Sequence, residues 1–237
     1  MPAFTETLPV PGQPMALYVS VPEGSGPFPA VLISPHATGV DDFIKAMCDR
    51  LAGEGYAAVA PDLFHRTTEA QAQAADKTRR QLLNDVEIIA DMNAAIDFLQ
   101  QHPAINGDRI GITGFCMGGR VSWLVAAVNP AIRAAVPYYP GNTLEIWGRG
   151  DQTPFALSQG INCPVLGHFG EIDVNPSPED LRKLDAELTR LGKPHQFYNY
   201  PNTDHGFMDF TRPRYNRAAA EMSWPRTLEF FERHLKG

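Results

Sequence analysis

A thiol that does covalent chemistry needs a turn that exposes it, a base that takes its proton and an acid that orients the base. Cys116 has the turn. It lies in Gly114-Phe115-Cys116-Met117-Gly118-Gly119, after an apolar strand-like run at residues 110–113 and before a helical pattern carried by Trp123, Leu124, Ala127 and Val128. This is a strand-to-helix elbow, in which glycines two residues to either side let strand, turn and helix approach closely around a strained nucleophile. The helix that follows turns its positive N-terminal end toward the sulfur, and its first N–H, that of Met117, is positioned to receive an oxyanion. No serine has glycines two residues before and two after it. Cys48 falls on the apolar stripe of a helix and Cys163 opens a strand, so both read as packed thiols.

The base and the acid follow in order. The strand-like run at residues 164–169 leads into Gly170-Glu171-Ile172-Asp173, and the run at residues 196–200 leads into Pro201-Asn202-Thr203-Asp204-His205-Gly206-Phe207. Cys116, Asp173 and His205 therefore each follow a separate strand, in the order nucleophile, acid, histidine. Glu171 is the rival acid, and Asp204 is too close in sequence to face its neighbour's ring. His65, His102, His195 and His234 lie in polar stretches and read as surface residues, while His168 is inside a strand. His36 comes just after an early strand and is placed to line a pocket, although it precedes the nucleophile.

Stepping outward, strand-like runs at residues 18–21, 30–33, 56–60, 110–113, 134–138, 164–169 and 196–200 alternate with amphipathic helical patterns. The helical stripes are Phe43, Ile44, Met47, Cys48 and Leu51; Ile88, Ile89, Met92, Ala95, Ile96 and Leu99; and Leu181, Leu184 and Leu188 behind a capped start at Ser177-Pro178-Glu179. A last helix covers residues 218–235. Such alternation predicts a mostly parallel sheet with helices on both faces, with ligands bound at the carboxyl ends of the strands. Residues 140–163 interrupt every period and are a candidate lid or pocket wall; the plainer reading is a surface loop with one helical turn near residues 155–158.

With 237 residues, 43% of them hydrophobic and no internal repeat or linker, the chain reads as one folded domain over residues 1–237. Its net charge of −7 argues against a nucleic-acid or anionic-lipid footprint, which needs clustered Lys and Arg. Residues 1–9 show no basic segment followed by an apolar run, no stretch is long enough to span a membrane, and three scattered cysteines fit a reducing compartment. These features predict a cytoplasmic protein with a small-molecule substrate and no metal or organic cofactor. They leave its oligomeric state open.

Four segments together resemble the dienelactone hydrolase family of the α/β-hydrolase superfamily: Gly55-Tyr56-Ala57-Ala58-Val59-Ala60-Pro61-Asp62-Leu63-Phe64, the Cys116 elbow, Gly170-Glu171-Ile172-Asp173, and Asp204-His205-Gly206-Phe207. The Cys elbow is the specific element. The resemblance implies an α/β-hydrolase fold, a Cys116-His205-Asp173 triad, and Ala37 N–H as the partner of Met117 N–H in the oxyanion hole. It implies a hydrolase of carboxylic esters or lactones that works through a thioester. Arg79 or Arg80 would supply a cation for the substrate, and His36 stands where the family usually carries an acid. Where the family has an arginine shortly after the catalytic histidine, this chain has Met208 and Asp209, which points to a substrate largely uncharged at its acyl end; Arg212 and Arg214 follow closely. Phe115, Trp147, Tyr198 and Phe207 are candidate pocket walls. Two rival readings are a phosphotriester hydrolase using the same triad and a ligand-binding or redox-sensing protein in which Cys116 does not turn over.

Overall fold

The chain enters through an antiparallel pair, β1 (Ala3–Leu8) and β2 (Met15–Ser20), and then alternates strands with helices. In order these are β3 (Phe28–Ser34), α1 (Asp42–Gly53), β4 (Ala57–Pro61), α2 (Glu69–Ala74), α3 (Arg79–Leu82), α4 (Asp85–Gln101), β5 (Ile105–Phe115), α5 (Met117–Val128), β6 (Ile132–Tyr138), β7 (Val165–Gly170), α6 (Pro178–Arg190), β8 (His195–Tyr200) and α7 (Arg217–Phe231). The computed structural model describes residues 3–237; Met1 and Pro2, which head the N-terminal stretch considered above, lie outside the described residues. The strands form one eight-stranded sheet in the order β1-β2-β4-β3-β5-β6-β7-β8, antiparallel at β1/β2 and β2/β4 and parallel elsewhere.

The strand sequences explain the layering. In β3, Ala30 and Leu32 join one hydrophobic cluster while Val31 and Ile33 join another, and in β4 Ala57 and Val59 oppose Ala58 and Ala60 in the same way. A strand that is apolar at every position buries both faces, so the sheet needs helices on each side. Ile88 and Met92 of α4, Val121 and Leu124 of α5, and Leu184 and Leu188 of α6 cover one face. Phe43, Ile44 and Met47 of α1 and Trp224 and Phe231 of α7 cover the other. This is the mostly parallel sheet with helices on both faces predicted from the alternation of elements.

Local signals set the ends of the helices. The Asp41 carboxylate accepts the Ile44 N–H at the start of α1, and Gly55, at φ 86°, makes the left-handed turn into β4. Ser177 and Asp180 form a reciprocal capping box around Pro178 at the start of α6.

Several elements differ from the sequence reading. β1, α2 and α3 carry too little apolar periodicity to be seen in the sequence: the face of β1 is largely exposed, and the only buried residue of α2 and α3 is Ala72. β5 begins at Ile105, ahead of the apolar run, because Ile105 pairs with Phe28 across a register shift. The last helix stops at Phe231 and continues as a single π turn, Glu232–Lys236. The His65 side chain is buried, 3% exposed, rather than on the surface. Its Nε2 lies 3.0 Å from Asp91, on the buried face of α4, and its Nδ1 lies 2.7 Å from the Gln13 carbonyl.

Candidate active site

Cys116 occupies a backbone conformation that β-carbon-bearing residues rarely adopt, φ 60° and ψ −117°, between the end of β5 and the first turn of α5. Two contacts hold it there: its N–H donates to Tyr138 O at 3.2 Å, and its carbonyl accepts the Arg120 N–H at 3.2 Å. The glycines are dictated by crowding. A Cβ on Gly118 would sit 2.0 Å from the Ser34 carbonyl oxygen at the end of β3, and one on Gly119 would sit 2.3 Å from the Tyr138 carbonyl oxygen at the end of β6. The elbow can press between two neighbouring strands only because those side chains are absent.

Arg120, the next residue, is fully buried and anchors the first turn of α5. It forms a two-pronged pair with Asp85 at the start of α4 (2.6 and 3.0 Å), donates to the carbonyls of Asn142 and Glu145, and lies 3.9 Å above the Trp147 ring. Asp85 also accepts the Trp147 N–H at 2.9 Å. Residues 140–163 are thus fastened to the base of the elbow, with a short 3-10 helix at Ala156–Gly160, and do not line the cavity at Cys116. The helical turn falls at Ala156–Gly160, close to the expected position, and the segment is not a wall of this cavity. Trp147 is a shelf for Arg120 rather than a pocket wall.

His205 and Asp173 meet at the carboxyl edge of the sheet. Nδ1 of His205 donates to Asp173 Oδ2 at 2.8 Å, while Asp173 Oδ1 accepts the Asn175 N–H at 2.8 Å. Asp173 is only 2% exposed, so its charge is poorly screened by water. Burial by itself would lower the His205 pKa; hydrogen bonds to Asp173 and Cys116, with the charge of both partners, outweigh it and push the value up to about 10. The ring therefore favours its protonated form beside Asp173. Glu171, the rival acid, instead accepts the Asn202 N–H at 2.9 Å. Asp204 caps the His205 N–H and pairs with Arg214 at 3.6 Å.

A cavity of about 210 Å³ opens at Cys116 and His205, with Phe115 and Tyr139 as aromatic walls and Ala37 and Thr38 opposite. Met117 opens α5, so its N–H has no intrahelical acceptor, and Ala37 lies on the cavity wall after β3. His36 also lines this cavity. Its Nε2 is 2.8 Å from Asp41 Oδ2 and 2.9 Å from the Thr38 hydroxyl, and its Nδ1 is 3.9 Å from Asp209 Oδ2. The imidazole thereby ties the loop that carries Ala37 to the loop that follows His205.

Other sequence expectations are corrected. Arg79 donates to the carbonyls of Thr67 and Phe64 and lies over the Phe64 ring, and Arg80 lies over Trp147 at 5.3 Å. Both line a neighbouring cavity of about 600 Å³ that shares only Ala37 and Thr38 with the Cys116 cavity, because α3 turns them toward the α2 side. Phe207 is fully buried behind the site against Tyr139 and Tyr200, and Tyr198 lies under Arg226 on β8. The cations that do reach the Cys116 cavity are Arg212 and Arg214, and Arg212 offsets Asp209 at 3.6 Å. Asp209 lines the same cavity as expected, and the two arginines pair there with Asp209 and Asp204. Tyr139, Thr38 and Asp41 were missed by sequence reasoning; Tyr139 directly follows a strand end, the signal that located the other groups.

Comparison with known proteins places these features in context. The family model described as the dienelactone hydrolase family matches residues 15–235. A protein of Escherichia coli strain K12, provisionally named carboxymethylenebutenolidase, is 33% identical over 96% of this chain and 86% of its own length. A protein of Methylorubrum extorquens with the same provisional name is 32% identical over 92% of this chain and 76% of its own. A Klebsiella pneumoniae crystal structure, provisionally assigned as a dienelactone hydrolase, superposes with a TM-score of 0.90 at 30% identity over 98% of both chains.

Proposed function

Because the chain belongs to the dienelactone hydrolase family, we propose that it hydrolyses carboxylic esters or lactones with Cys116 as nucleophile, His205 as base and Asp173 as the acid that orients it. The observation that carries this reading is that Cys116 and His205, from separate strand ends, line one cavity, with Asp173, from a third strand end, held 2.8 Å from His205 Nδ1 behind it.

In this reading, Cys116 Sγ attacks the carbonyl carbon and the carbonyl electrons move to oxygen, where the N–H groups of Met117 and Ala37 receive the charge. The proton held on His205 passes to the leaving alcohol oxygen as the C–O bond breaks, giving a thioester. Water then attacks that thioester and gives its proton to His205, the C–S bond breaks, and the acid product leaves. Asp173 stays ionised and holds the ring in the orientation both steps need. For a lactone the leaving oxygen remains attached to the acyl chain, so one product is released. The small cavity fits a short acyl group, and the arginines at its mouth admit a substrate that carries a carboxylate. One continuous sheet supports reading residues 1–237 as one α/β-hydrolase domain.

The test is steady-state hydrolysis of a short-chain chromogenic ester by wild type and Cys116→Ala, both checked for folding by circular dichroism. A loss of about 10³-fold or more is the expected result. Equal rates would overturn the triad and favour a binding or sensing role; an organophosphate assayed alongside tests phosphotriester hydrolysis.

A further inference from the structure

Ala37, proposed as the second oxyanion donor, sits between two side chains that reach one carboxylate oxygen. His36 Nε2 is 2.8 Å from Asp41 Oδ2, the Thr38 hydroxyl donates to the same oxygen at 2.8 Å, and Nε2 and the hydroxyl lie 2.9 Å apart. The Gly39 N–H closes the turn on the His36 carbonyl at 2.9 Å, with Gly39 at φ 86°. Residues 36–39 are thereby drawn into one loop around Asp41, and His36, Ala37 and Thr38 of that loop line the Cys116 cavity. Among the described residues the Ala37 N–H donates to no backbone carbonyl.

Donors and acceptors follow from the available protons. A carboxylate only accepts, and the Thr38 hydroxyl gives its single proton to Asp41, so the contacts of His36 run outward from an N–H at Nε2. Burial would raise the Asp41 pKa; the hydrogen bond and charge of His36, with the Thr38 hydroxyl and the Ile44 N–H, outweigh it and lower the value, so the carboxylate stays ionised. Its other oxygen, Oδ1, accepts the Ile44 N–H at 3.2 Å and caps α1. One side chain thus joins the start of a helix to the loop that carries Ala37. Nδ1 of His36 faces Asp209 Oδ2 at 3.9 Å, beyond direct hydrogen-bond reach, so the tether lies on the Asp41 side. The imidazole also packs against Phe43 of α1, at 5.6 Å between ring centroids.

We propose that His36 and Asp41 are positioning residues of the oxyanion hole: by gathering the side chains on either side of Ala37 onto one oxygen, Asp41 fixes that residue's N–H at the Cys116 cavity. The inference rests on the reading of Cys116 as nucleophile and Ala37 N–H as oxyanion donor. A donor stabilises developing charge to the extent that it is already in place when the charge appears, and the helix cap and the hydrogen-bonded triangle hold the loop in place beforehand. Formation and hydrolysis of the thioester both pass through a tetrahedral oxyanion, so a loosened Ala37 slows both steps alike.

The test is Asp41→Asn. Asparagine caps a helix as well as aspartate does, so α1 keeps its start, but the amide nitrogen in place of Oδ2 cannot accept from His36 and Thr38. Removing an oxyanion donor costs about 10²–10³-fold in kcat, and a donor that is loosened rather than removed should cost about tenfold. The expected signature has three parts: kcat about tenfold lower with KM unchanged; about tenfold weaker inhibition by a trifluoromethyl ketone, whose adduct on Cys116 carries an oxyanion; and unchanged alkylation of Cys116 by iodoacetamide, which displaces iodide and forms no oxyanion. His36→Gln, with an amide N–H near the Nε2 position, should keep turnover within about threefold, whereas His36→Leu should match Asp41→Asn. Wild-type turnover in Asp41→Asn overturns the proposal, and so does alkylation slowed in step with turnover, because the pair would then act on the sulfur or on the fold. If Asp41→Asn does not fold, Thr38→Val, at an exposed position, replaces it; turnover should fall about threefold with alkylation unchanged, and no change overturns the proposal. Full turnover in Cys116→Ala, or a wild type that the ketone does not inhibit, would instead refute the reading on which the proposal rests.

Discussion

His168 is the clearest place where acid should weaken this fold. It is fully buried on β7, with Nδ1 2.8 Å from the Tyr200 hydroxyl and Nε2 3.1 Å from the Thr227 hydroxyl, and no carboxylate among these partners. Burial, reinforced by the nearby Arg226 charge, pulls its pKa down to about 3 from an ordinary 6.5. The folded protein therefore holds this imidazole neutral where the unfolded chain would protonate it. A histidine with a depressed pKa contributes stability that is fully present above about pH 6.5 and is lost as pH falls toward 3. At about pH 4 the unfolded state gains from protonation over roughly 2.5 pH units, or about 3 kcal/mol at about 1.36 kcal/mol per unit. The same loss lowers the melting temperature by about 6–12 °C for a chain of this size.

The assay is urea unfolding of wild type and His168→Gln at about pH 8 and about pH 4. Gln keeps a polar side chain between the two hydroxyls without the titration, so carboxylate effects common to both proteins cancel in the difference. Wild type should lose about 3 kcal/mol more than the variant between the two pH values. Equal losses would refute the reasoning, because His168 would then have no part in the acid sensitivity.

Two further substitutions test the scaffold beneath Cys116. Gly118→Ala would place a methyl 2.0 Å from the Ser34 carbonyl oxygen, a backbone atom that cannot give way, so the elbow must shift; ester turnover should fall by at least about 10²-fold with the protein still folded, and an active variant would refute the crowding argument. Asp85→Asn removes one partner of a fully buried guanidinium and should cost about 3–5 kcal/mol in denaturant unfolding, whereas the apolar pair Asp85→Leu with Arg120→Met should recover part of the loss; no recovery would show that the network's backbone bonds, rather than the charge, hold the elbow.

The amino-acid sequence by itself determined the layering and pointed to the candidate site. Strands apolar at every position require cover on both faces, and a cysteine between glycines at a strand end admits few structures other than an elbow. The order of Cys116, Asp173 and His205 was likewise visible, because each follows a strand and parallel strands end on one edge. Tertiary structure decided what sequence spacing could not. Asp173 faces His205 while Glu171 does not, since the turn after β7 aims only one of them at the loop after β8. Arg79 and Arg80 were placed in the neighbouring cavity by how α3 packs on Phe64, Thr67 and Trp147, and Arg212 and Arg214 were placed at the Cys116 cavity because the loop before α7 meets residues 36–38, more than 100 residues away in the chain. Tyr139 entered the site for the same reason. Its strained turn, at φ 36°, is imposed by His168 on the adjacent strand, a constraint that exists only once the sheet has formed.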